Sequence, residues 1–142
     1  MPVRNASAVW EGGLRGGKGS FKAGTGAFGG SYSFGTRFEE VPGTNPEELI
    51  AAAHAACLSM ALSGGLERAG KTPTRVETKA ACTIEKVGDA FRITKMKLVV
   101  RAAVPGLDQA GFAKAAEDAK NGCPVSNALK GNVAVELDAK LE

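Results

Sequence analysis

The stretch Thr44-Asn45-Pro46-Glu47-Glu48-Leu49-Ile50-Ala51-Ala52-Ala53-His54-Ala55-Ala56-Cys57-Leu58-Ser59-Met60-Ala61-Leu62 decides the fold. Asn45 fits a helix N-cap, Pro46 the first helical position, and Glu47 and Glu48 suit the positive end of the helix dipole. Between residues 49 and 62 only His54 and Ser59 interrupt the apolar side chains. A helix without a polar face belongs in an interior. The segment therefore predicts a buried central helix running to about Gly70, with Pro73 beyond it.

On the N-terminal side, ten of the 19 glycines fall between positions 12 and 35. The short alternating runs 6–10 and 32–38 read as strands joined by glycine turns. On the C-terminal side, Val76, Thr78, Ala80, Cys82 and Ile84 share one face of a strand by the period of two. Gly88-Asp89 turns the chain into a second strand with Met96, Leu98, Val100 and Ala102 inward. Phe91 and Ile93 are out of phase with that set, which predicts a bulge. Pro105-Gly106 ends the strand. A helix follows over 108–120 with Phe112, Ala115, Ala116 and Ala119 as its apolar stripe, closed by Asn121-Gly122. Cys123-Pro124 opens a short helix to 129, and Val133, Val135, Leu137, Ala139 and Leu141 alternate as a last strand. This order shows no βαβ alternation, so it predicts an α+β fold with an antiparallel sheet, in one domain over 1–142.

The chain has 142 residues, 44% apolar and 23% charged, the composition of an ordinary soluble domain. Its 18 basic and 15 acidic residues leave a net charge of +3 and are interspersed, which argues against a nucleic-acid partner. No apolar run reaches the length needed to cross a bilayer, and Met1-Pro2-Val3-Arg4-Asn5 lacks a signal-peptide core. The expectation is a cytoplasmic protein without a membrane partner. Three cysteines, at 57, 82 and 123, cannot all pair within one chain, and a reducing compartment disfavours structural disulfides.

Several motifs fail on context. Gly24-Thr25-Gly26-Ala27-Phe28-Gly29 spells a dinucleotide fingerprint, but strand follows it where a helix N-terminus would have to receive the pyrophosphate. The run from Gly12 to Gly17-Lys18-Gly19 lacks the Ser or Thr after the lysine and a following helix. Three distant cysteines and one histidine show no zinc-ligand spacing. The thiols are better candidates. Cys123 precedes Pro124 at a helix start, where amide N–H groups favour a thiolate. Cys57 lies among alanines and leucines, where burial raises a thiol pKa. On the residues alone Cys123 is the better thiolate. Packing as a small hydrophobe is the ordinary fate of a cysteine, and the core face of its strand assigns Cys82 to it. His54 precedes Cys57 by three residues on the same helix face, which leaves open a Cys–His nucleophile pair or a packed or dimer-facing histidine.

Residues 44–57, followed 66 residues after Cys57 by Cys123 within Gly122-Cys123-Pro124-Val125-Ser126, resemble the osmotically inducible protein C family, which includes the organic hydroperoxide resistance proteins. Trp10-Glu11-Gly12, Thr36-Arg37-Phe38-Glu39 and Ile93-Thr94-Lys95-Met96 extend the resemblance over the chain. Arg37 in its Thr-Arg-Phe-Glu setting favours the osmotically inducible branch. The resemblance implies an intertwined homodimer with antiparallel sheets wrapped around long central helices. It implies a thiol peroxidase acting on organic hydroperoxides, with Cys57 peroxidatic and Cys123 resolving. Arg37 would stabilise the thiolate and peroxide, and Glu47 would orient Arg37 through a bidentate grip. No metal or organic cofactor is implied, only an external dithiol, of lipoyl type. Two other readings remain: a non-catalytic thiol redox sensor, and a Cys–His hydrolase using Cys57 and His54.

Overall fold

The computed structural model describes residues 1–142 as two compact units, Met1–Leu49 and Ile50–Glu142. The first unit carries β1 (Ala6–Glu11), β2 (Lys18–Ala23) and β3 (Gly29–Tyr32), an antiparallel sheet in chain order. The Gly-x-Gly letters at 24–26 lie in the turn between β2 and β3, where Gly26 takes a φ of +78°. Gly19 is needed for close approach. A Cβ there would lie 2.6 Å from both the Trp10 and the Tyr32 ring, and these rings sit 5.4 Å apart between centroids.

The expected strand over 32–38 is corrected. β3 stops at Tyr32, and α1 (Phe34–Phe38) carries Arg37 on a helix. Ser33 and Thr36 form a reciprocal capping box, each side chain bonding the other's backbone N–H. That local cap overrides the strand preference of the aromatic residues.

The long helix α2 (Pro46–Arg68) starts as its sequence predicts. Asn45 Oδ1 accepts from the Glu48 amide at 2.8 Å, and Asn45 Nδ2 donates to the Thr36 carbonyl at 2.9 Å. The cap thus also ties the end of α1 to the start of α2. Asn45→Ala is expected to cost about 1 kcal/mol, read as a loss of about 3 °C in thermal midpoint. An unchanged midpoint would show that this cap bears no load.

The second unit builds a sheet in the order β4 (Arg75–Val87), β5 (Ala90–Ala103), β6 (Ala134–Leu141). Met96, Leu98, Val100 and Ala102 of β5 are fully buried, against Leu58, Leu62 and Leu66 of α2 and Phe112 and Ala116 of α3 (Gln109–Gly122). Ser59 donates to Thr78 Oγ1 at 2.7 Å, fastening α2 to β4. The expected bulge is present: Thr83 pairs with Lys95 and Ile84 with Ile93, leaving Thr94 as the extra residue.

Three expectations change. First, β5 and β6 pair in parallel. α3 and α4 (Pro124–Leu129) carry the chain back to the starting end, so these elements form a βαβ unit rather than another antiparallel return. Second, Gly122 is helical and has no positive φ. The helix ends at Cys123, whose amide donates to the Ala119 carbonyl at 2.8 Å.

Third, α2 is not enclosed by its own chain. Leu58, Leu62 and Leu66 are buried on one side, while Ala52, Ala53, Ala56 and Met60 are exposed on the other, Met60 at 80%. Only 28% of its most apolar 18-residue window is buried. That window has a mean hydropathy of 1.6, so by length and composition the helix could cross a membrane. His54 and Ser59 break the apolar run without lowering its average, which corrects the expectation that no stretch reaches that length.

Candidate active site

The second unit brings together two thiols 66 residues apart in the chain. Cys57 Sγ on α2 and Cys123 Sγ at the start of α4 lie 2.9 Å apart. A disulfide S–S bond is about 2.05 Å, so bond formation asks for a shift of only about 1 Å. The local cause is the packing of one continuous helix and the end of another. α2 packs its leucine face on β5, which leaves Cys57 beside that face. Pro124 cannot donate into α3, so α3 ends and Cys123 becomes the hinge into α4.

The two sulfurs differ in access. Cys123 is fully buried, whereas Cys57 is half-buried and lines a cavity of about 740 Å³. Met60, Ala61, Leu66, Leu107 and Ala115 supply its apolar wall, and Arg68, Lys71, Lys114 and Asp118 also line it. Leu58 is not part of that wall: it is fully buried in the core.

They also differ in acidity. Burial raises the Cys57 pKa, as does the hydrogen bond to Cys123, and the Val125 amide offsets only part of this. Burial acts the same way on Cys123. There, the Cys57 thiol, the amide and hydroxyl of Ser126 and the amide of Val125 more than reverse it, so its pKa lies below the ordinary thiol value. The ranking read from the residues alone thus describes the local surroundings, and thiolate character on Cys57 requires a cation.

His54 is fully buried on α2, and its Nε2 lies 2.7 Å from Ser126 Oγ. Its Nδ1 has no hydrogen-bond partner. Neither ring nitrogen bonds the Cys57 thiol, so of the two readings left open for His54 the packed histidine is the one this geometry fits. Burial lowers the His54 pKa and keeps the ring neutral at pH 7. Cys82 is half-buried on β4 and packs against the core, as its strand phase requires.

In the first unit Arg37 meets Glu47. Arg37 Nε donates to Glu47 Oε1 at 3.0 Å, and an Arg37 terminal nitrogen lies 2.9 Å from the same oxygen. The expected grip on both carboxylate oxygens is therefore corrected: the fork closes on one oxygen, and buried Oε2 has no partner. Glu47 is 4% exposed, while the Arg37 side chain stays 36% exposed and lies 5.0 Å from the Phe38 ring centroid. The Phe38 and Phe34 rings lie tilted to each other with centroids 5.1 Å apart, and with Trp10, Leu14 and Tyr32 they line a small aromatic hollow beside Arg37.

Ser126 is the residue sequence reasoning missed. A signal was present: His54 stands three residues before Cys57, and Ser126 three residues after Cys123. Once the thiols meet, residues one turn away on each helix are brought into reach.

The chain is similar to known proteins in sequence and in fold. The family model described as OsmC-like protein matches residues 38–138. The chain is 46% identical to the peroxiredoxin OsmC of Escherichia coli over 138 residues, 96% of each chain. It is 36% identical to an organic hydroperoxide resistance protein of Xanthomonas axonopodis pv. citri over 96 residues, 67% of this chain and 66% of that protein. Its fold matches the crystal structure of the organic hydroperoxide resistance protein OhrB of Bacillus subtilis with a TM-score of 0.75 at 27% identity, covering 96% of this chain and 98% of that one.

Proposed function

The chain belongs to the OsmC-like protein family and is a peroxidase of oxidative-stress defence; on that premise we propose that Cys57 is its peroxidatic thiol, Cys123 its resolving thiol, and an organic hydroperoxide its substrate. The observation that carries this assignment is the pairing of an accessible sulfur with a fully buried one 2.9 Å away. A peroxide can reach only the first, and the second is placed to close a disulfide on it.

The cycle balances on the two sulfurs alone. The Cys57 thiolate attacks the terminal peroxide oxygen, and the O–O bond breaks. The alkoxide leaves, takes up a proton and departs as alcohol, while Cys57 becomes a sulfenic acid. Cys123 then attacks Cys57 Sγ: the S–S bond forms, the S–O bond breaks and water leaves. An external dithiol reduces the disulfide by two exchange steps and is itself oxidised. Two thiols account for both electrons of the peroxide, so we assign no metal or organic cofactor. Arg37, held by Glu47, is the cation we assign to the Cys57 thiolate. A dithiol of lipoyl type is the reductant class we propose, and its need for a reducing pool favours the cytoplasm. Consumption of cumene hydroperoxide with excess dithiol tests the reading. Oxidation of the thiols without repeated turnover would favour the redox-sensor alternative instead.

We further propose that the unit in solution is a homodimer. The exposed stripe Ala52, Ala56 and Met60 on α2 supports it, because a second copy would cover apolar surface that one chain leaves open. A stable interface of this kind buries about 2,000 Å² or more. Ala56→Glu keeps a good helix former on an exposed position and puts a charge in that interface. Light scattering should read twice 14.5 kDa for the native protein and 14.5 kDa for the variant. A native monomer at micromolar concentration would refute the dimer.

A further inference from the structure

Buried polar groups are costly unless they are paired. His54 is fully buried on α2, and its ring meets Ser126 Oγ at 2.7 Å. Ser126 is the only buried residue of α4, and α4 makes no other side-chain hydrogen bond to another element. Leucine and alanine at these two places would fill the interior without the desolvation cost. A helix of six residues is too short to hold itself, so its placement depends on what it meets. Leu129 anchors its far end by apolar packing, which tolerates sliding. The hydrogen bond at its near end is directional and does not.

The pair stands in register with the two thiols. His54 comes three residues before Cys57, and Ser126 three residues after Cys123. The contact of 2.7 Å between His54 and Ser126 and that of 2.9 Å between the sulfurs are therefore successive rungs between the same two stretches of chain, which run in opposite directions. A slip of α4 by one residue is about 1.5 Å along its axis. That slip breaks the polar rung and exceeds the approach of about 1 Å that disulfide closure asks for. The partnerless Nδ1 sets the direction of the bond. A buried N–H without an acceptor is the rarer defect, so the ring carries its proton on Nε2 and donates it to Ser126 Oγ.

Resting on the assignment of Cys57 and Cys123 as the redox pair, we propose that His54 and Ser126 are positioning residues of the resolution step: their buried hydrogen bond fixes the register of α4 on α2 and keeps the Cys123 sulfur at closing distance from the Cys57 sulfur. In that step the S–S bond forms and the S–O bond of the Cys57 sulfenic acid breaks. The sulfenic hydroxyl and the Cys123 thiol proton leave together as water. Neither positioning residue gives up or takes a proton. A fixed register raises the effective concentration of one sulfur at the other, so it speeds closure and makes the disulfide harder to reduce.

The reduction potential of the Cys57–Cys123 disulfide, measured by equilibrating the whole protein with a dithiothreitol redox buffer, reads that effective concentration. His54→Leu and Ser126→Ala should each raise the potential by about 30 mV, a tenfold loss and the scale of one hydrogen bond. His54→Gln, whose amide N–H donates from nearly the same place, and Ser126→Thr, which keeps the hydroxyl, should each return most of the shift. The double variant, His54→Leu with Ser126→Ala, separates positioning from stability. Two apolar side chains leave no polar group unpaired, so its thermal midpoint should match the native one. Its potential should nonetheless stay raised, by about the same 30 mV and no more, because either single change already removes the rung. A native potential in the double variant, shifts that add, or no rescue by either conservative variant would overturn the proposal. Oxidised native protein without a Cys57–Cys123 disulfide would instead overturn the assignment of the two thiols, and this inference with it.

Discussion

Cys57→Ser is expected to abolish peroxide consumption, by at least about three orders of magnitude, while Cys123→Ser consumes one equivalent of hydroperoxide per subunit and stops. The asymmetry follows from access. Only Cys57 opens on the 740 Å³ cavity, so only its sulfur meets substrate, and serine cannot form a sulfenic acid. Cys123 is fully buried and acts only after Cys57 has been oxidised. Without it Cys57 should remain as sulfenic acid, open to a dimedone probe. The acidity of the pair runs against this assignment and makes the test sharp. The Cys57 thiol and the nearby Ser126 and Val125 groups hold the Cys123 pKa below the ordinary thiol value. Were acidity to outweigh access, Cys123→Ser would be the dead variant and Cys57→Ser would react once. Cys82→Ser should turn over normally, and a loss there equal to that of Cys57→Ser would show that the redox pair is misassigned.

What could be read in the sequence divides by range. Local chemistry was legible: the Asn45 cap, Pro46 at the first turn, the Gly88 turn, the β5 core set and the bulge at Thr94 all follow from neighbouring residues. Arg37 was legible as a charged residue beside aromatics, but not as a helical one. A five-residue helix set by a Ser33–Thr36 capping box competes closely with an extended strand. The parallel pairing of β5 with β6 was hidden because it depends on where α3 and α4 return the chain. The meeting of Cys57 with Cys123 came from family resemblance, since no spacing rule joins residues 66 apart. Ser126 could only follow once that meeting was known.

Organic hydroperoxides should be reduced about 50-fold faster than hydrogen peroxide, measured as kcat/KM with saturating dithiol. The cavity beside Cys57 offers Met60, Ala61, Leu66, Leu107 and Ala115 as apolar wall. Each methylene moved from water to such a wall contributes about 0.8 kcal/mol, so an alkyl tail burying three gains about 2.4 kcal/mol, or about 50-fold. Hydrogen peroxide has no tail and gains nothing there. The cation must act differently from the wall. A thiol at its ordinary acidity is only a few per cent ionised at neutral pH. Burial moves Cys57 further from ionisation. Arg37→Met should therefore slow both peroxides together, because it removes the charge assigned to the thiolate and leaves the apolar wall in place. The ratio between the two substrates should survive the loss of the guanidinium. Equal kcat/KM for cumene hydroperoxide and hydrogen peroxide in the native protein would mean that the tail does not lie along this wall. A ratio that collapsed in Arg37→Met would mean that the guanidinium, rather than the wall, selects the substrate.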